Sequence, residues 1–208
     1  NDRISLEADD KVFAISSASF DLSIYDIFGP LSAGGTIVTI AKAKSKDPKE
    51  WLDIIKNEGV TVWNSVPLLM HLFVDQPSFD WTNFTSLRVC LMSGDWIPLH
   101  LVKKLLEFSK IRVISLGGAT ECSIWSIAYD VTSFNPNWTS IPYGKALKNQ
   151  HVTIRNQSLQ IKPVWAKGEI YIGGLGVSNG YYNKAELTNL SFVKDPIDGK
   201  IIYRTGDW

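Results

Sequence analysis

Short, wholly apolar runs alternate along this chain with longer segments in which apolar residues recur at helical spacing. Lys11-Val12-Phe13-Ala14-Ile15-Ser16 reads as a buried strand, and the small residues Ser17 to Ser19 as the turn after it. Asp21-Leu22-Ser23-Ile24-Tyr25-Asp26-Ile27-Phe28 then sets Leu22 with Tyr25, and Ile24 with Ile27 and Phe28, on the faces of a helix. That helix ends before Gly29-Pro30 or runs on to Gly34-Gly35. Thr36 to Ile40 is the next strand, and Asp47-Pro48 opens a helix through Trp51, Leu52, Ile54 and Ile55 that Gly59 closes. Val60 to Trp63 follows as a strand, Asn64-Ser65-Val66-Pro67 as a loop, and Leu68 to Val74 as a short apolar helix. Leu87 to Met92 is a strand, Ser93-Gly94-Asp95 its loop, and Leu101 to Phe108 a helix with Lys103 and Lys104 on its wet side. A last apolar run, Ile111 to Ile114, leads into Ser115-Leu116-Gly117-Gly118-Ala119-Thr120-Glu121.

This repeated alternation of strand, loop and helix predicts an α/β fold with a parallel sheet covered by helices. From about Asp130 the pattern changes to shorter pieces: Ile141 to Lys145, His151 to Arg155, Gln160 to Pro163, Glu169 to Ile172 and Lys200 to Tyr203. Asn156-Gln157 and Asp198-Gly199 supply turns between them. The expected organisation is therefore an α/β subdomain over residues 1–130 followed by a smaller β-rich subdomain over 131–208. Ligands of such sheets gather at the carboxyl ends of the strands. Asp21, Asn64, Ser93, Thr120 and Glu121 each follow an apolar strand in that way.

Composition narrows the class. At 208 residues with 45% hydrophobic and 12% aromatic content, there is enough apolar material for a substantial core. Lys+Arg and Asp+Glu both number 21, so no net field draws in nucleic acid or an anionic membrane surface. Cys90 and Cys122 lie in or beside apolar runs, as buried reduced thiols do, and His71, His100 and His151 have no metal-ligand spacing with them. No apolar run approaches the roughly 20 residues that span a bilayer, and no signal peptide is visible, so a cytoplasmic setting is expected and the sequons such as Asn83-Phe84-Thr85 read as chance matches.

The segment Gly117 to Glu121 carries the clearest chemistry. Two glycines allow the backbone to approach a ligand closely, and a Thr hydroxyl beside a Glu carboxylate suits phosphate oxygens and a hard cation. The same residues also suit a plain turn with Thr120 as a helix cap, just as Asp21 suits either a cap or an acid facing a cleft. Gly174-Leu175-Gly176-Val177-Ser178-Asn179-Gly180 has its last glycine one residue late for a dinucleotide fingerprint, with no clear helix after it.

Four motifs in order decide between these readings. Phe20 to Gly29, Gly117-Gly118-Ala119-Thr120-Glu121, Gly168-Glu169-Ile170-Tyr171-Ile172-Gly173-Gly174 with Gly180-Tyr181, and Tyr203-Arg204-Thr205-Gly206-Asp207 span nearly the whole chain. Together they resemble core motifs of adenylation domains of nonribosomal peptide synthetases, within the AMP-forming ligase superfamily. By that resemblance the cofactors are ATP and Mg²⁺. Thr120 would contact the ATP phosphate or the adenylate, Glu121 would hold Mg²⁺, and Gly117, Gly118 and Ala119 would border the adenine. Asp207 would bind the ribose hydroxyls. The usual adenine motif has Tyr-Gly-Pro where this chain has Gly117-Gly118-Ala119, so ring stacking from the first position would be lost.

The family's selectivity positions fall on Asp21, Leu22, Tyr25, Asn64, Leu91, Ser93, Leu116, Ile124 and Trp125, a set that resembles the pocket of cysteine-activating domains. Asp21 would pair with the substrate's α-ammonium, a buried pair whose loss of one partner costs about 3–5 kcal/mol. Tyr25 and Trp125 would fill volume, and Asn64 and Ser93 could meet a thiol or hydroxyl. Physical chemistry alone leaves cysteine and serine unseparated. The resemblance further implies a phosphopantetheine thiol on a peptidyl carrier domain as acyl acceptor, with condensation or cyclisation domains as neighbours in one megasynthase. A phosphate loop is expected before Asn1 and a lysine-bearing domain after Trp208, so residues 1–208 alone are expected to adenylate poorly or not at all. Two other classes stay open: an acyl-CoA or aryl-acid ligase, against which Asp21 argues because a substrate without an α-amine does not need that carboxylate, and a non-catalytic remnant serving as a binding or scaffold module, against which Thr120, Glu121 and Asp207 argue for the parent protein but not for residues 1–208 alone.

Overall fold

A computed structural model of the chain describes residues 1–77, 79–80, 82, 85–108, 110–133 and 135–208. The chain forms two compact units, Asn1–Ser115 with Tyr129–Pro142 and Leu116–Ala128 with Tyr143–Trp208, an interleaving finer than a single division near 130. The first carries strands β1 (Lys11–Ala14), β2 (Thr36–Thr39), β3 (Val62–Ser65) and β4 (Val89–Met92), with helices α1 (Leu22–Ala33), α2 (Pro48–Glu58), α3 (Pro67–Val74) and α4 (Leu99–Phe108) between and after them. Strand β5 (Arg112–Gly117) and strand β6 (Ile127–Val131) run through the points where the units exchange chain, and β7 is Lys145–Ala146.

The larger sheet has the order β2-β1-β3-β4-β5-β6-β7. β1 pairs in parallel with β2 and β3, and β3 with β4 and β4 with β5 likewise, so the parallel sheet expected from the alternating pattern is present. All four residues of β3 and of β4 are buried, as in a parallel sheet covered on both faces. Trp63 of β3 anchors the core, its ring 4.8 Å from Phe73 of α3 and 6.0 Å from Trp51 of α2.

The helix signals act as expected at α2. Asp47 Oδ1 accepts from the Lys49 N–H at 3.0 Å, Pro48 opens the first turn, and Gly59 closes the helix at φ 68°. At α1 the longer of the two expected ends is realised, and the helix runs through Pro30 to Ala33. Two strands run further than their apolar cores. β3 includes Asn64 and Ser65, expected as loop, and β5 includes Ser115, Leu116 and Gly117, because ladder hydrogen bonds continue where side chains turn polar or vanish.

The second unit holds an antiparallel sheet in the order β10-β11-β9-β8, built from β8 (Gln150–Arg155), β9 (Glu169–Gly174), β10 (Phe192–Lys194) and β11 (Ile201–Arg204). Gln160 to Pro163 is not a strand; a single bridge, Arg155 to Ile161, is all that forms there. Helix α5 (Ala185–Ser191) and β10 had no clear sequence signal, since α5 buries no residue and β10 is three residues long. Arg155 is buried and accounts for its charge with a two-pronged ion pair to Asp195, at 2.9 and 2.6 Å. Asn83 of the first sequon lies outside the described residues.

Candidate functional site

In the first unit the residues named from the sequence converge at the start of α1 and the ends of β3 and β4. Asn64 of β3 is fully buried and stands opposite Leu91 of β4 in the ladder. Its Nδ2 donates to the Leu22 carbonyl at 3.3 Å and to Asp26 Oδ1 at 2.7 Å. Ser93 follows β4, and its N–H donates to the Ser65 carbonyl at 3.2 Å. The polar end of β3 thus meets the first turn of α1, with the end of β4 beside it in the ladder.

Asp21 occupies the N-cap position of α1, yet its side chain makes no capping hydrogen bond and its backbone is helical, at φ −63° and ψ −25°. The cap role allowed by the sequence is therefore not the one realised. Ser23 instead turns its hydroxyl back to the Phe20 carbonyl at 2.7 Å. Burial, followed by the nearby charges of Asp26 and Asp10, pushes the Tyr25 hydroxyl far above its ordinary range, so it stays protonated.

Asp26 is a residue that sequence reasoning passed over. It is buried beneath α1, and burial pushes its carboxyl from 3.8 up to about 6 against the hydrogen bonds from Asn64 and Ser16 that favour the anion. It lies one helical turn from Leu22, on the same face, which was the available signal.

In the second unit, Gly118 gives way to Ala119 and a 3-10 turn over Thr120–Cys122. Thr120 is not its cap; Ala119 holds that position. Gly117 and Gly118 are not among the residues with positive φ, so their need is space. A Cβ on Gly118 would lie 2.5 Å from the Ile124 carbonyl oxygen and 2.7 Å from the Ser126 nitrogen. The close approach is to the chain's own returning segment, where Ser126 N–H donates to the Gly117 carbonyl at 2.8 Å. That return is made by Ser123 and Ile124 in the left-handed region, at φ 64° and 70°. For a β-branched residue such as Ile124 this is a strained conformation, and Trp125 follows directly after it; both are positions at which the sequence resemblance suggests substrate selection. Leu116, another of those positions, is buried in β5. Gln150 Nε2 bridges the turn by donating to the Cys122 and Trp125 carbonyls at 3.1 and 3.3 Å.

Glu121 is held from the side. The Tyr181 hydroxyl donates to its Oε1 at 2.5 Å, and the Tyr203 hydroxyl lies 3.5 Å from that of Tyr181. Burial raises the Glu121 carboxyl, but the hydrogen bonds from Tyr181, the backbone and Tyr203 outweigh it and leave the group below its usual value, hence ionised. Phe192 sits against both phenols, 5.5 Å from the Tyr181 ring and 5.1 Å from Tyr203. The two tyrosines were visible in the sequence only as members of motifs; their gathering at Glu121 was not. Among the described residues no three His, Cys, Asp or Glu side chains form a metal cluster, and Cys90 and Cys122 are free and buried. A single carboxylate completed by phosphate oxygens and water is the donor set that suits Mg²⁺, so Glu121 fits that ion.

The last motif is organised by Glu169, buried at the start of β9. It accepts from Arg204 Nε at 2.8 and 2.9 Å and from the Gly206 N–H at 3.1 Å. Thr205 Oγ1 donates to the Ile170 carbonyl at 2.9 Å and accepts from the Asp207 N–H at 3.0 Å, while the Asp207 carbonyl accepts from Ile170 at 2.8 Å. These bonds fix the backbone on both sides of Asp207 and leave the residue exposed. Among the described residues no helix is long and apolar enough to cross a membrane.

Comparison with known proteins places this arrangement. The family model described as AMP-binding enzyme matches residues 1–182. Bacitracin synthase 1 of Bacillus licheniformis is 44% identical over 209 aligned positions, which cover 100% of this chain and 4% of that protein. Pyochelin synthetase PchF of Pseudomonas aeruginosa is 38% identical, again over 100% of this chain and 12% of its own length. Among solved structures, the nonribosomal peptide synthetase FmoA3 in its alpha-methyl-L-serine-AMP bound form superposes with a TM-score of 0.94 at 39% identity, covering 99% of this chain and 24% of that one. This chain belongs to the family of AMP-binding enzymes and, within it, to the adenylation domains of nonribosomal peptide synthetases.

Proposed function

We propose that the protein carrying this chain activates a small amino acid, L-cysteine, as its aminoacyl-AMP and passes the acyl group to the phosphopantetheine thiol of a carrier domain. The observation that carries the reading is Asp21, a carboxylate at the head of α1 that does not cap its helix. It stands next to Leu22, whose carbonyl is joined to Asn64, and Asn64 faces Leu91. An anion so placed suits an α-ammonium, and a substrate without an amine has no need of it, which argues against acyl-CoA and aryl-acid ligases.

In the reaction the amino-acid carboxylate attacks the α-phosphorus of ATP, the bond to the β-phosphate oxygen breaks, and pyrophosphate leaves. Catalysis of such a step is positioning and neutralisation of charge at phosphorus. Thr120 offers a hydroxyl to the phosphate, and Asp207 offers two oxygens to the ribose hydroxyls. Bound Mg²⁺, held by Glu121, would neutralise the phosphate charges. Tyr181 and Tyr203 keep Glu121 anionic for that role.

A second reading has its own support: FmoA3 is described with alpha-methyl-L-serine-AMP, which makes a β-hydroxy amino acid the alternative to a β-thiol. Substrate-dependent exchange of labelled pyrophosphate into ATP, run on the protein carrying this chain with each of the common amino acids and with aryl and alkyl acids that lack an amine, tests both. A maximum at cysteine supports the reading, a maximum at serine transfers it to the hydroxyl, and a maximum with an acid lacking an amine refutes it.

A further inference from the structure

We propose that Asp26 is a positioning residue for substrate selection, locking the Asn64 carboxamide so that its oxygen is left to accept the side-chain donor of the amino acid. The inference rests on the reading above, that the substrate carries a β-thiol or β-hydroxyl.

A buried carboxamide can sit in two orientations that differ only in the exchange of oxygen and nitrogen. At Asn64 the surroundings choose between them. One side of the group meets Asp26 Oδ1 at 2.7 Å and the Leu22 carbonyl at 3.3 Å, both acceptors. Only the nitrogen, with its two N–H donors, satisfies that side. The carbonyl oxygen is thereby turned the other way, where it is buried without a hydrogen-bond partner. A buried acceptor left unsatisfied is costly, and a ligand bringing an S–H or O–H donor relieves it.

Asp26 is the stronger half of this lock. Leu22 offers a longer contact, whereas Asp26 offers a short one from a group that is 1% exposed. Ser16 N–H, at 3.4 Å, and Asn64 are its hydrogen-bond partners, and Tyr25 is the neighbouring titratable side chain on the same helix; among the described residues no cation pairs with it. A buried carboxylate without a cation is an expensive way to fill space beneath a helix. Its chemistry here is to be an acceptor, which an amide at position 26 would not enforce, because an amide can present either a donor or an acceptor to Asn64.

The test is pyrophosphate exchange in the intact synthetase carrying this chain, comparing cysteine and serine with alanine and 2-aminobutyrate, which are small but lack a side-chain donor. Asp26→Asn is expected to lower kcat/KM for the donor-bearing substrate by about tenfold, mainly through KM, and to change that for 2-aminobutyrate by less than about twofold. Asn64→Leu is expected to give the same selective loss, and the double variant to be no worse than Asn64→Leu alone, since both remove one oriented acceptor. Equal loss for all substrates, unchanged discrimination, or additive losses in the double variant would each overturn the proposal. If the unsubstituted synthetase prefers 2-aminobutyrate to cysteine and serine, the substrate reading itself fails and takes this proposal with it.

Discussion

Asp26 gives a stability effect whose sign is opposite to the usual result of altering a buried, hydrogen-bonded residue. Burial raises its carboxyl from 3.8 to about 6 in the folded protein. Between about pH 4 and 6 the folded state therefore holds a proton that the unfolded state has released, and stability falls as pH rises through that window. The contribution is fully present below pH 4 and lost above pH 6. At about 1.4 kcal/mol per pH unit, the rise amounts to about 3 kcal/mol of penalty on the charged form at neutral pH. Asp26→Asn removes the titration. Urea unfolding of the substituted and unsubstituted proteins, followed from pH 4.5 to 7.5, is expected to show the variant gaining relative stability by about 2–3 kcal/mol toward neutral pH. The difference between the two proteins cancels groups that titrate alike in both. Two parallel pH profiles would show that Asp26 ionises as easily folded as unfolded, contrary to this expectation.

Other expectations follow from the second unit. Gly118→Ala must push a methyl group against backbone atoms 2.5 and 2.7 Å away, and should cost about 1–3 kcal/mol in thermal or chemical unfolding; a neutral result would mean that the two segments do not approach so closely. Tyr181→Phe removes the 2.5 Å bond to Glu121 and should raise KM for Mg·ATP about tenfold while leaving KM for the amino acid unchanged. An unchanged Mg²⁺ dependence in that variant would show that the phenol does not hold the carboxylate for the ion.

Much of the first unit was legible because its signals are local. The apolar runs at Val12-Phe13 and Val89 to Met92 are buried on both faces, and Asp47, Pro48 and Gly59 bound α2 as their backbone chemistry requires. The polar ends of β3 and β5 were not legible as strand, since Asn64, Ser65 and Gly117 are held by ladder partners rather than by their own preference. At the site, the nine selectivity positions and Thr120, Glu121 and Asp207 came from the order of motifs, not from periodicity. What no motif announced were the supports: Asp26 beneath Asn64, Tyr181 and Tyr203 beside Glu121, and Glu169 under the loop that bears Asp207. Each pairs residues 35 or more positions apart, and such pairs exist only once the chain is folded. The forced turn at Ser123 and Ile124 was equally hidden, because it is strained against the preference of its own residues.

Whether this protein activates an amino acid through Asp21 is settled by amino-acid-dependent ATP–pyrophosphate exchange on the protein carrying this chain, with Asp21→Ala beside it. Exchange that peaks at cysteine and falls by two orders of magnitude or more in the variant, about what the loss of one partner of a buried charge pair costs, is the expected result. Exchange that is undiminished in Asp21→Ala would contradict it, because the amino acid would then be held by something other than the carboxylate at the head of α1.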